Sequence, residues 1–218
     1  MKLKKLSDTK KLVLISLGFT LSLLFVRAFY TGELAYFFYP WNLFLATVPL
    51  FFSSLLKKQV TINYKSVLYF ILWLLFLPNA PYLVTDIFHF EHRPLVPIWF
   101  DLMLVVSGAW NGILLCMLSL FSVEKFIRKV CNRKYVNGIM LSILVACGYG
   151  IYIGRFLRFN SWDVVTDPAG LLKASTHHIH HPVQSLNVWV FTFLFASFLS
   201  IVYFTIKKLP QALPPRQF

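Results

Sequence analysis

Arginine and carboxylate side chains provide the clearest candidate chemistry in this sequence. Arg155 and Arg158 close one apolar segment, and Asp101 lies just inside the start of another. An arginine can bind a carboxylate or a phosphate through two parallel hydrogen bonds, even where water is scarce. If the two segments are neighbouring helices, these arginines reach Asp101. The arrangement is then either a structural clamp or a site for an anion such as phosphate.

Small residues at regular spacing predict that these two segments pack together. Side chains this small let two helix backbones approach closely in a membrane. The row in the later segment consists of Gly138, Ser142, Ala146, Gly150 and Gly154. The earlier segment contributes Gly108, Gly112 and Cys116.

A second group of candidates follows the third apolar segment. Asp86, His89 and Arg93 fall on one face of a short helix. An aspartate one turn before a histidine can orient the imidazole ring or share a metal ion with it. Three interpretations stay open: a structural ion pair, a contact to a ligand or substrate, and a metal site.

Four of the six histidines lie close together before the last apolar segment. On a helix, His177 and His181 share a face, which is the spacing of a two-histidine metal pair. A catalytic zinc site needs a third ligand and an open position, which His89, His92 or Glu91 supplies only if the fold brings it close. The favoured interpretation is a titratable loop cluster, so we predict no metal and no cofactor.

Two prolines interrupt the third apolar segment near its outer end, within Leu77–Tyr82. Pro78 and Pro81 lack an amide hydrogen and clash with the preceding turn, so we predict a broken span. The carbonyl groups that they free need a protein or water partner, and Asn79 can supply one. Either the helix simply ends here, or a non-helical rim lines a polar cavity.

The segment 158–185 is too long for a bare connection between two helices. Asn160, Trp162 and Asp163 form a polar turn with an aromatic ring suited to a membrane interface. Asp167–Pro168 is typical of a helix cap and first turn. We therefore predict an external loop that contains a helix lying on the membrane surface.

The composition identifies the elements that must position these residues. Of the 218 residues, 58% are hydrophobic and 13% are charged, whereas a soluble domain carries about 25% charged residues. We predict an all-α membrane protein, a bundle of six transmembrane helices in one polytopic domain over residues 1–218. The predicted spans are 12–30, 34–56, 67–84, 97–121, 136–157 and 186–206.

The distribution of basic residues predicts the orientation of the spans. Most of the 21 Lys and Arg residues fall in the two tails and in the second and fourth loops. Basic loops stay in the cytoplasm, so we predict that the amino and carboxyl termini are both cytoplasmic. Most carboxylates and all six histidines then face outward. The net charge of +13 is thus explained by topology and by affinity for anionic headgroups, without nucleic acid binding.

Several sequence runs resemble those of a bacterial family of predicted membrane proteins, domain of unknown function 1361. The runs are Trp41–Ala46, Leu77–Tyr82 with Thr85–Asp86, Gly154–Arg158 and Asn160–Asp163. The resemblance implies an integral bacterial membrane protein of about this size. It implies no activity and no cofactor.

These observations predict a multi-pass protein of the plasma membrane with an external polar site. The site would bind or process a lipid headgroup or an envelope precursor, which makes membrane lipids the expected partners. Two alternatives stay open: a structural or accessory subunit bound to another membrane protein, and a metal-assisted hydrolase or transferase that uses Asp86 and the histidines. The candidate site residues are Asn79, Asp86, His89, Asp101, Arg155, Arg158, Asn160, Trp162 and Asp163.

Overall fold

The computed structural model describes residues 8–91, 93 and 95–212, and these residues form helices without a β-strand. Six of the described segments are long and apolar enough to cross a membrane, which confirms the predicted all-α, six-span fold. The segments are Asp8–Thr31, Tyr39–Leu56, Tyr64–His89, Ile98–Val130, Arg133–Phe156 and Leu186–Leu209.

The first four spans belong to one compact unit and the last two to another, with the division after Val130. Unit 1 contains α1 (Asp8–Thr31), α2 (Tyr39–Leu56), α3 (Tyr64–Phe76), α4 (Asn79–Tyr82), a 3₁₀ helix (Leu83–His89) and α5 (Ile98–Val130). Unit 2 contains a 3₁₀ turn (Arg133–Tyr135), α6 (Val136–Phe156), α7 (Asp163–Thr166), α8 (Pro168–His180) and α9 (Leu186–Ala212). A single polytopic domain stays a prediction, since each unit is described by itself.

The third span is divided into short elements around its prolines. Between α3 and α4, Leu77 and Pro78 keep right-handed helical backbone angles. The Asn79 side chain donates a hydrogen bond to the Phe76 carbonyl at 2.9 Å, the kind of partner that the sequence predicted for this residue. The predicted proline break itself stays a prediction, because the backbone angles remain helical.

Helix α5, with 33 residues, forms the centre of unit 1. Two of its glycines allow other elements to approach closely. The ring of Tyr39 in α2 occupies the space beside Gly108, and the carbonyl of Ala80 in α4 occupies the space beside Gly112. These small residues of the fourth span therefore pack against elements of their own unit.

A row of polar contacts joins α1 to α5 inside the apolar span. The Thr20 hydroxyl donates to Ser107 Oγ at 2.9 Å. The Asn111 amide donates to Thr20 Oγ1 at 2.8 Å and to the Ser16 carbonyl at 3.1 Å. Polar groups in a membrane span need protein partners of this kind, and the row continues toward the helix ends with an ion pair.

In unit 2, α6 and α9 run antiparallel. Lys207 donates to Asn137 Oδ1 at 3.0 Å near one end, and the rings of Phe156 and Phe191 lie 5.3 Å apart toward the other. Between them, a Cβ at Gly148 would lie 2.6 Å from the Thr192 carbonyl. Gly148 was not in the predicted row of small residues, although it makes the close contact.

Helix α8 begins where the sequence predicted. The Asp167 carboxylate accepts a hydrogen bond from the Gly170 amide at 2.9 Å, and Pro168 occupies the first helical position. This is the ordinary side-chain cap of a helix amino terminus. That the helix lies on the membrane surface stays a prediction.

Candidate functional site

Two deeply buried charged side chains of unit 1 form an ion pair between α1 and α5. Arg27 Nε donates to Asp101 Oδ1 at 2.7 Å and Arg27 Nη2 donates to Asp101 Oδ2 at 3.2 Å. The two side chains are 0% and 2% exposed. The predicted partners of Asp101, Arg155 and Arg158, belong to the other unit. Arg27 was not among the candidates predicted from the sequence.

The pair leaves one guanidinium nitrogen unused. Arg27 Nη1 is buried and has no hydrogen-bond partner among the described residues. Burying a charged group is costly unless its hydrogen-bonding capacity is filled. Arg27 Nη1 can thus donate a hydrogen bond to one further ligand oxygen beside Asp101.

Tyr36 connects the ion pair to a second arginine. Its ring centroid lies 5.1 Å from the Arg27 guanidinium carbon and 5.2 Å from that of Arg93. The Tyr36 side chain is buried, although the residue has a φ of +63°. A bulky residue in the left-handed region is strained, and such strain is concentrated at functional sites.

The electrostatics keep the Tyr36 phenol protonated. Burial raises the pKa of Tyr36 above its ordinary value, and the neighbouring Asp101 carboxylate adds to this rise. The phenol is therefore a hydrogen-bond donor at neutral pH. Its oxygen lies 3.5 Å from the His89 carbonyl. Together Arg27, Tyr36, Arg93 and Asp101 form what we call the Arg27 cluster.

Asp86 lies in the 3₁₀ helix and is fully buried. Its carboxylate accepts a hydrogen bond from Asn42 Nδ2, in the first turn of α2, at 3.3 Å. His89, one turn later, is exposed, and its ring lies 5.3 Å from that of Phe38. The structure thus gives the predicted pair Asp86 and His89 different environments. The described residues contain no group of three His, Cys, Asp or Glu side chains that could hold a metal.

The polar turn of unit 2 is held together by Asp163. Its carboxylate accepts hydrogen bonds from the backbone N–H of Asn160 at 2.6 Å and from the Thr166 hydroxyl at 2.7 Å. The hydrogen bond from Asn160, followed by that from Thr166, lowers the pKa of Asp163. Asn160 and Asp163 are therefore brought together, as a local brace of the turn before α7, with Trp162 partly exposed between them.

His178 anchors α8 to the aromatic side chains of unit 2. The Tyr149 hydroxyl lies 3.0 Å from His178 Nδ1, and the Trp189 indole donates to the His178 carbonyl at 3.3 Å. His178 is buried, unlike His177 and His181. Burial, with a smaller contribution from His177, lowers the pKa of His178. The sequence pattern does not separate His178 from its neighbours, because a run of histidines gives no indication of which one is buried.

We expect acidification to weaken the docking of α8 without releasing the helix. Because the pKa of His178 is lower in the docked helix, the released helix binds more protons, and docking is fully stable only above the free imidazole value of about 6.5. The contribution of His178 to docking is lost as the pH falls from there through the lowered pKa. Hydrogen exchange of the α8 amides, corrected for the intrinsic effect of pH, measures this loss between pH 7.5 and 4.5.

Two variants test the cause of the weakened docking. His178→Phe keeps an aromatic ring and removes the titration, so the pH dependence of exchange in α8 disappears. His180→Gln changes an exposed neighbouring histidine, and we expect the pH dependence of exchange in α8 to remain. An unchanged pH dependence in His178→Phe would contradict this account.

Comparisons with known proteins agree with the predicted resemblance. A family model described as a protein of unknown function, DUF1361, matches residues 41–202. No curated protein and no solved structure matches the chain. The matched residues include Asn42, Asp86 and Asp101, whereas Arg27 and Tyr36 precede them. Since the match covers most of the sequence, the chain belongs to the DUF1361 family of proteins of unknown function.

Proposed function

We propose that this multi-pass membrane protein binds the anionic headgroup of a membrane lipid, or of a lipid-linked envelope precursor, at the Arg27 cluster. The observation that carries the proposal is the unused Nη1 of Arg27, buried beside a protonated phenol. A headgroup phosphate supplies the acceptor oxygen that this nitrogen lacks. Guanidinium groups favour phosphate because several N–H groups can point at its oxygens.

The position of the cluster along the helices favours a headgroup as the ligand. Arg27 lies in the last turn but one of α1, which ends at Thr31, and Asp101 lies in the first turn of α5. At 1.5 Å per residue, both lie within about 6 Å of the helix ends. In a bilayer this is the depth of the interface between acyl chains and headgroups.

The charges at the other end of unit 1 support an external position for the cluster. There Lys129 donates to the carbonyls of Lys57 and Gln59 at 2.9 and 3.1 Å, in the loops that the positive-inside rule assigns to the cytoplasm. The Arg27 cluster lies at the opposite ends of α1 and α5. We therefore propose the outer leaflet of the plasma membrane as the source of the ligand, with both termini in the cytoplasm.

A structural role is the second candidate, because the near-complete burial of Arg27 and Asp101 is also typical of a clamp between helices. The double variant Arg27→Met/Asp101→Leu separates the two. Replacing a buried ion pair by apolar residues of similar volume is neutral or stabilising in many proteins. The double variant therefore keeps the fold and removes the ligand groups.

Native mass spectrometry of the protein released from mild detergent tests the proposal. We expect a stoichiometric lipid adduct on the wild-type protein and none on the double variant. Glu124→Gln/Arg128→Gln is the matched control, since it removes the ion pair at the far end of α5 and leaves the adduct intact. A folded double variant that still carries the lipid would exclude headgroup binding at this cluster and favour the accessory-subunit role.

A further inference from the structure

An open groove of about 650 Å³ lies along α8 in unit 2. Its lining contains Lys173 and the four histidines His177, His178, His180 and His181, together with small and apolar residues. No carboxylate is among the described residues that line it. We infer that this groove binds a phosphodiester group when its exposed histidines, His177, His180 and His181, are protonated. This site is separate from the Arg27 cluster and does not depend on the function proposed there.

The side chains packed against His178 are uncharged and aromatic. From α6, Tyr149 and Tyr152 contact His178, and from α9 Trp189 contributes an uncharged indole. The lowered pKa of His178 favours the neutral form of this anchor. Imidazole side chains change charge between about pH 5 and 8, so the groove becomes more positive across that range.

The nearest carboxylates in the sequence already accept hydrogen bonds, and Asp167 lies at the Gly170 end of the groove. Asp163 is held by Asn160 and Thr166, and Asp167 caps the Gly170 amide at the start of α8. Asp167 precedes His177 by ten residues, or about 15 Å along a helix. The positive charge that the histidines acquire therefore has no carboxylate beside it within the groove.

The geometry of two histidines couples protonation to anion binding. The ring centroids of His177 and His181 lie 4.9 Å apart. Two imidazolium groups at this separation repel each other. An anion placed between them removes the repulsion, so phosphate binding and proton uptake reinforce one another.

Exposed apolar side chains beside the groove favour a lipid as the source of the phosphate. Leu172 and Ile179 are 66% and 63% exposed and lie two helical turns apart on α8. An exposed apolar row of this kind lets a helix lie in the interface of a bilayer. The groove would then stand at the level of the headgroup phosphates.

Calorimetric titration of the full-length protein in detergent tests the inference. The probe is dihexanoyl phosphatidylglycerol, whose phosphodiester keeps one negative charge at both pH 8.0 and pH 6.0. We expect the affinity to rise at least about tenfold at the lower pH, because each nearby positive charge strengthens binding severalfold. Glycerophosphoglycerol, the same headgroup without acyl chains, distinguishes a lipid from a soluble phosphate.

The triple variant His177→Gln/His180→Gln/His181→Gln abolishes the pH-dependent part of the affinity. His89→Gln, an exposed histidine of unit 1, retains it and serves as the matched control. If glycerophosphoglycerol binds more weakly at pH 6.0 than dihexanoyl phosphatidylglycerol does, the site is supported and its phosphate belongs to a lipid. Equal binding supports the site and assigns the phosphate to a soluble ligand. An affinity that does not rise at pH 6.0, or a rise that survives in the triple variant, would overturn the inference.

Discussion

Asp101→Leu lowers the free energy of unfolding in detergent by about 3–5 kcal/mol. The substitution leaves the Arg27 guanidinium buried without a counter-charge, and both side chains of the pair are almost completely inaccessible. Removing one partner of a buried pair is far more costly than removing both. Thermal and denaturant unfolding, followed by circular dichroism, measures the loss.

The double variant Arg27→Met/Asp101→Leu recovers most of that stability, because no charge remains buried. Glu124→Gln provides the comparison on the same helix. Arg128, its partner, is 34% exposed and reaches water when the pair is broken. The free energy of unfolding of Glu124→Gln therefore falls by no more than about 1 kcal/mol. Equal destabilisation of Asp101→Leu and the double variant would show that packing, rather than charge, makes this position sensitive.

The second large effect is expected at Gly112, where Gly112→Ala lowers the free energy of unfolding by about 2–3 kcal/mol. An added Cβ would meet the Ala80 carbonyl and would lie 2.9 Å from Leu83 Cβ. The carbonyl is backbone and cannot turn aside, so α4 has to move away from α5. The same unfolding measurements detect the change.

Gly138→Ala is the matched control for this substitution. Gly138 also lies inside a helix, yet nothing stands within 4 Å of the position that a Cβ would take. We expect it to be neutral or to stabilise the protein by up to about 1 kcal/mol, since alanine favours helices over glycine. Equal destabilisation at the two positions would rule out the steric explanation for Gly112.

The local sequence was sufficient to predict those elements that depend only on nearby residues. The six spans follow from runs of apolar residues, which need no knowledge of their neighbours. The start of α8 follows from Asp167 and Pro168, which act within one turn. The family resemblance follows from short motifs within residues 41–202.

The small-residue row shows where such patterns fail. Spacing by four residues identified Gly138, for which a Cβ has open space, and omitted Gly148, for which a Cβ meets the Thr192 carbonyl. Periodicity shows which residues share one face of a helix. Which helix covers that face depends on the packing of segments distant in the sequence.

The sequence by itself thus determined the membrane class, the six spans and a set of polar candidates at the helix ends. The tertiary structure decided which of these candidates meet. Arg27 and Asp101 are 74 residues apart, and nothing near either residue in the chain specifies the other. Their pairing exists because α1 packs along α5, and a buried charge is stable only where such packing brings its counter-charge within hydrogen-bonding distance.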